Sequence, residues 1–143
     1  MHLSNKEITF SKKLINYSPK YLKIMNTIVK YGHYLIAIPI AVFGMFHFLI
    51  AKNMVGMVPS WLPGGVFWVY LTGIAHLSAA VAILIGKYTR MAATLLGVML
   101  IVFAMTVYLP KVTEGDQMAM FQVLKDLVMA GGCWVYASTQ PKD

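Results

Sequence analysis

Met57-Val58-Pro59-Ser60-Trp61-Leu62-Pro63-Gly64-Gly65 joins two long apolar runs. One ends in Phe46-His47-Phe48 and the other opens with Phe67-Trp68-Val69-Tyr70-Leu71-Thr72. A connector facing water would be more polar and would have no use for a tryptophan. This one is apolar, yet it cannot continue a helix: its prolines lack N–H donors and disfavour helical geometry in the residue before them. The reading that reconciles these facts is a loop lying on, or dipping into, the end of a membrane-embedded helical bundle.

Composition supports that reading. Of 143 residues, 59% are hydrophobic and only 12% charged, too few charges to cover the surface of a soluble domain. The net charge of +7 would suit nucleic acid, but its distribution does not. Lys6, Lys12, Lys13, Lys20, Lys23 and Lys30, half of the basic residues, precede the first apolar run, as a juxtamembrane segment facing anionic lipid would. The lipid bilayer is therefore the expected partner, and nucleic acid is not. Cys133 is the single cysteine, so no intramolecular disulfide is possible. A cleaved signal peptide is not expected, because the first apolar run starts late and is too long for one.

The stretch 1–17 reads as polar, basic and without fixed structure. Ser18-Pro19 is a helix-start signal. After it Tyr21, Leu22, Met25, Ile28 and Val29 share one face, with Lys20, Lys23, Thr27 and Lys30 on the other. That pattern predicts a short amphipathic helix on the cytoplasmic membrane surface, or else an inward extension of the first span. Four apolar runs follow, at about 31–51, 66–86, 91–109 and 118–137, each long enough for a hydrocarbon core of ~30 Å. Pro39 is expected to bend the first. The connectors are short, so the expected fold is all-α: a transmembrane, antiparallel four-helix bundle. Its parts are a basic N-terminal segment (1–30), a four-span domain (31–138) and a short tail (139–143). Lys87, Arg90 and Lys142 join the N-terminal lysines on one side, leaving Lys52 and Lys111 on the other, so both termini are expected in the cytoplasm, in the manner of a bacterial inner-membrane protein. Ala75 and Ala79, Ala82 and Gly86, Ala93 and Gly97, and Ala130-Gly131-Gly132 are the expected sites of close helix contact.

Ionisable groups inside a span cost about 2.5–3.5 kcal/mol each on insertion scales, so each requires a reason. Lys125-Asp126 lies in the fourth span, His47 near the outer end of the first, and His76 deeper in the second. Neighbours on a helix point about 100° apart, so Lys125 and Asp126 are not expected to face one site. Lysine can reach the interface along its own stem; aspartate cannot, which makes Asp126 the interior candidate. A contact of Asp126 with His47 or His76 is allowed by depth. Such pairs either hold helices in register or mark a site. The two histidines differ in expected depth by about 8 Å, which speaks against a bis-histidine haem. Met54, Met57, Met118 and Met120 form no tight cluster with histidine and read as apolar filler, so no metal is expected. No nucleotide loop, Cys-x-x-Cys pair or nucleophile elbow is present, and no catalytic residue is assigned.

Taken in order, 57–63 running into 67–73, then Arg90, Leu109-Pro110, Leu124-Lys125-Asp126-Leu127 and Ala130-Gly131-Gly132 resemble the DoxX-like family of small four-helix membrane proteins, over about residues 31–138. The resemblance implies the same fold. For some members it implies membrane subunits linked to quinone-dependent sulfur oxidation; distant animal relatives look like chaperones or cargo receptors. Tyr108 stands where relatives often carry histidine, so chemistry resting on that histidine is not expected here.

Two functional expectations follow. The first is a non-catalytic accessory subunit that packs against a membrane-protein partner or another copy of itself. The second is a redox-linked protein binding quinone or another small apolar molecule near the outer side. There His47, His76, Lys125 and Asp126 would supply the polar groups, and Pro59, Trp61, Pro63 and Trp68 the lid. Transport is a third, for which four helices enclose little volume.

Overall fold

The computed structural model describes residues 5–142, which form helices and connecting turns with no strand among them. Helix α1 (Asn5–Leu49) is followed by the short α2 (Ala51–Met54), a 3-10 turn (Val55–Met57) and the irregular proline-tryptophan loop. Then come α3 (Gly65–Ile85), α4 (Thr89–Phe103), a π-helical segment (Ala104–Tyr108), α5 (Leu109–Thr113) and α6 (Gln117–Thr139). Among the described residues, four segments are long and apolar enough to cross a membrane: Tyr21–Leu49, Gly65–Ile85, Thr89–Thr113 and Gln117–Thr139. Leu35, Leu49, Val128 and Val135 lie largely exposed on their outer faces. Water would penalise that surface and hydrocarbon would not. The chain is an integral membrane protein.

The N-terminal expectation needs correction. Of the stretch read as irregular, residues 1–4 lie outside the described part, and the rest is helical. Ser18-Pro19 does not start a helix; α1 passes through it. The flanking residues explain this, since Lys6, Glu7, Lys12, Lys13 and Leu14 are good helix formers, and a proline removes one N–H bond without ending a helix that its neighbours favour. The chain divides into two units after Gly32. Within the first, residues 21–30 are all exposed, and Thr27 Oγ1 donates to the Lys23 carbonyl.

In the second unit the core is built mainly from alanine and branched aliphatic side chains. Ala37 and Ile40 of α1, Ala79, Ala80 and Ile83 of α3, Ala93, Leu96 and Leu100 of α4, and Ala130, Cys133 and Ala137 of α6 form one buried cluster. Small side chains let helix backbones approach where no hydrophobic drive between helices exists in lipid. The tightest approach of α1 to α3 is at Gly44 and Gly73. A Cβ at Gly73 would stand 2.8 Å from the His47 Cβ and 3.2 Å from the Gly44 carbonyl oxygen, and one at Gly44 would stand 2.8 Å from Leu77 Cγ. Between α4 and α6, the Trp134 indole fills the space over Gly97 and donates from Nε1 to the Thr94 carbonyl at 3.2 Å.

The other expected glycine contacts divide. Gly86 closes α3 in the left-handed conformation (φ 71°), which glycine adopts without a Cβ penalty, and has open space around it. Gly131 and Gly132 face away from the packed helices, with nothing near the place of a Cβ. Gly64 (φ 89°) makes the turn into α3.

Candidate functional site

The proline-tryptophan loop covers a cavity of about 610 Å³. Helices α1, α2, α3, α4 and α6, the 3-10 turn, the π segment and the loop contribute to its wall. His47, His76, Lys125 and Asp126 line it, and so do Pro59, Trp61 and Trp68 of the expected lid. Pro63 does not; its carbonyl instead accepts from Trp68 Nε1 at 2.7 Å, fixing that indole against the loop. Trp61 lines the cavity while remaining 70% exposed, so it stands at the margin between cavity and surroundings.

The two histidines lie closer than their sequence positions suggested. Their ring centroids are 5.1 Å apart, with the rings tilted by 32°. The expected depth difference assumed that the first span ends level with the start of the second. Helix α1 ends at Leu49, just past His47, whereas about three turns of α3 precede His76. The segment 50–64 rises to the start of α3, and the close crossing at Gly44 and Gly73 brings the two rings together. Depth therefore no longer separates them. Each Nδ1–H donates to the carbonyl four residues earlier in its own helix, Phe43 at 2.7 Å for His47 and Thr72 at 2.9 Å for His76. Phe103 lies 6.4 Å from the His76 ring.

Lys125 and Asp126 also depart from expectation. Both line the cavity, and Lys125 Nζ lies 3.4 Å from Asp126 Oδ1. The hundred-degree offset holds at the backbone, but the four-carbon lysine stem bridges it. Lys125 also lies 5.4 Å from the Phe43 ring centroid, over its face. Asp126 is 3% exposed, as an interior carboxylate should be. Its ion-pair partner among the described residues is Lys125, and neither imidazole is hydrogen-bonded to it.

The π segment supplies a side of the cavity that the apolar pattern gave no sign of. Leu109 N–H bonds to the Ala104 carbonyl, one residue further back than in an α-helix. Pro110 is the local cause. Its nitrogen cannot donate to the Thr106 carbonyl, and in a regular helix its ring would collide with that carbonyl. The widened turn relieves the collision, and Thr106, Val107 and Tyr108 all reach the cavity wall. Gln122 completes the polar groups from α6. Thr72, which shares the His76 face at the four-residue spacing, lines the cavity, and the same spacing could have found Phe43 with His47 and Gln122 with Asp126.

The lining is otherwise Ile40, Met54, Met57, Met99, Leu100, Phe103 and similar side chains. An apolar cavity of several hundred cubic ångströms with a few convergent polar groups is the form small-molecule sites take. No cluster of three or more His, Cys, Asp or Glu close enough to hold a metal ion occurs among the described residues.

Fold and cavity together define an integral membrane protein of four apolar spans with a partly open, partly polar cavity among its helices. The family model of a domain of unknown function (DUF8561) matches residues 36–124, and the chain belongs to that family. The matched stretch carries both histidines, the loop and the π segment, and stops just before Lys125-Asp126. No curated protein and no solved structure matches the chain.

Proposed function

We propose that this protein is a DoxX-like membrane protein that binds a small, largely apolar molecule in the chamber beneath the proline-tryptophan loop. The observation that carries the reading is the convergence of His47, His76, Lys125 and Asp126 on one cavity of about 610 Å³ whose remaining wall is apolar. In lipid, polar groups that served only to hold helices together would be consumed by contacts with each other. Here they border open space. The spans run alternately in opposite directions as an antiparallel bundle, with the basic residues and both termini on the cytoplasmic side, as in a bacterial inner membrane. The chamber then opens toward the outer leaflet, with Pro59, Trp61 and Trp68 as its roof.

A quinone fits this lining. Its carbonyl oxygens accept hydrogen bonds, and Lys125, Tyr108 and Gln122 are donors in the wall. When bound, a quinone would supply two-electron redox chemistry; these residues would hold its ring. The test is mass spectrometry of small molecules retained by protein purified in mild detergent, alongside Ala75→Phe, which places a ring in the chamber. A species bound to the native protein and lost in the variant supports the reading. Equal retention by both would overturn it.

A second reading, an accessory subunit docked to a membrane-protein partner, draws on Gly131 and Gly132. Both are exposed with nothing near their Cβ positions, in a span where close helix approach uses such residues. Recovery of the native protein only as a free monomer after gentle extraction would count against it.

A further inference from the structure

The ligand's polar end can be specified from the protonation of the two histidines. A backbone carbonyl oxygen only accepts, so Nδ1 of His47 and Nδ1 of His76 must both be the protonated nitrogen. In the neutral ring the lone pair is then on Nε2. Neither Nε2 makes a hydrogen bond among the described residues; the side chains have little exposure, at 9% and 4%, both line the cavity, and neither Nε2 is among the fully enclosed atoms without a partner. Buried polar groups in hydrocarbon normally have partners. With the rings 5.1 Å apart and both lining the cavity, two fixed acceptors stand at one place in its wall.

We infer that the bound molecule presents a hydroxyl or other neutral O–H or N–H donor to the His47–His76 pair, so that the site selects apolar phenols or alcohols over their ethers. The inference rests on the binding reading above and adds the class of group bound. Two features oppose the alternatives. A ligand with only acceptor oxygens, an oxidised quinone included, would set lone pair against lone pair at this position, whereas the reduced quinol form keeps the O–H donors the pair requires. A ligand with an ammonium group would share the chamber with Lys125.

The experiment is calorimetric titration of the full chain in lipid nanodiscs with 4-butylphenol and 4-butylanisole, against protein-free nanodiscs to remove partitioning. The two probes differ in the donor hydrogen, which the ether replaces by methyl. The phenol is expected to bind about tenfold more tightly. His47→Asn and His76→Asn keep an N–H near the Nδ1 position and lose the Nε2 acceptor, so each should reduce the preference. His47→Gln and His76→Gln carry an amide oxygen out to the Nε2 position and should retain it. Unchanged affinity for 4-butyltoluene certifies that a variant's chamber is intact. Equal or tighter binding of the anisole, or a preference indifferent to all four substitutions, would overturn the inference while leaving the binding site standing. Failure of every probe to bind would remove both.

Discussion

Gly73 lies directly against the His47 side chain: a methyl group at position 73 would come within 2.8 Å of the His47 Cβ and 2.7 Å of a ring carbon of Phe48. The imidazole pair therefore depends on the absence of a side chain one helix away. Gly73→Ala should push α1 from α3 and cost about 1–3 kcal/mol, the range for an extra methyl group in a packed interior. Thermal unfolding in detergent measures it. Ligand affinity should fall with stability, whereas Gly32→Ala, at a glycine with open space around it, should alter neither.

Lys125 and Asp126 should behave as a coupled pair. Removing the lysine alone leaves a carboxylate that is 3% exposed without its ion-pair partner. Lys125→Met should therefore destabilise by about 1–3 kcal/mol, and Asp126→Asn by less, since it leaves behind a lysine with 40% of its side chain exposed. The double substitution should recover part of the loss, with a coupling energy of about 0.5–3 kcal/mol. Strict additivity in a double-mutant cycle would show that the 3.4 Å contact contributes nothing.

Helix α6 begins on a side-chain cap that can be tested by itself. Asp116 Oδ1 accepts from Met118 N at 2.9 Å and Ala119 N at 3.2 Å. Asp116→Ala should cost about 1 kcal/mol and Asp116→Asn much less, because asparagine caps nearly as well. Hydrogen exchange at the amides of Met118 and Ala119 should report the change locally, with no effect on exchange near Gly97.

Trp134 and Gly97 offer a size test in the core. Gly97→Ala drives a methyl group into the indole and should destabilise the α4–α6 contact by about 1–3 kcal/mol. Gly97→Ala combined with Trp134→Leu should be less damaging than the sum of the two. Melting temperatures of the three variants settle the matter.

Much of this was written in the chain's apolar runs. Four stretches of bilayer length, separated by short connectors, point to four spans whatever the details, because hydrocarbon leaves the backbone few choices. The polar residues legible as a site were those that lipid should exclude, and His47, His76, Lys125 and Asp126 do share one cavity. Their mutual geometry was not legible. It depends on where α1 stops and on the crossing at Gly44 and Gly73, and neither glycine belongs to a small-residue pair spaced by four. Lys125 was misjudged because helical angle locates a Cα, not the end of a flexible side chain. The N-terminal helix was hidden by a start signal at Ser18-Pro19 that neighbouring helix formers override.

The wide turn at Ala104–Tyr108 divides the third span into two phases. An extra residue per turn rotates everything after it by roughly a hundred degrees relative to an unbroken α-helix. The face that Leu96 and Leu100 present to the core is thus not the face on which Leu109 and Val112 continue. Both halves pack against α6, the first through α4 and the second through the π segment and α5, each on its own alignment. Deleting one residue from this segment would shorten the span by a mere 1.5 Å or so, yet it would turn everything after it about the helix axis and carry Tyr108 away from the cavity wall.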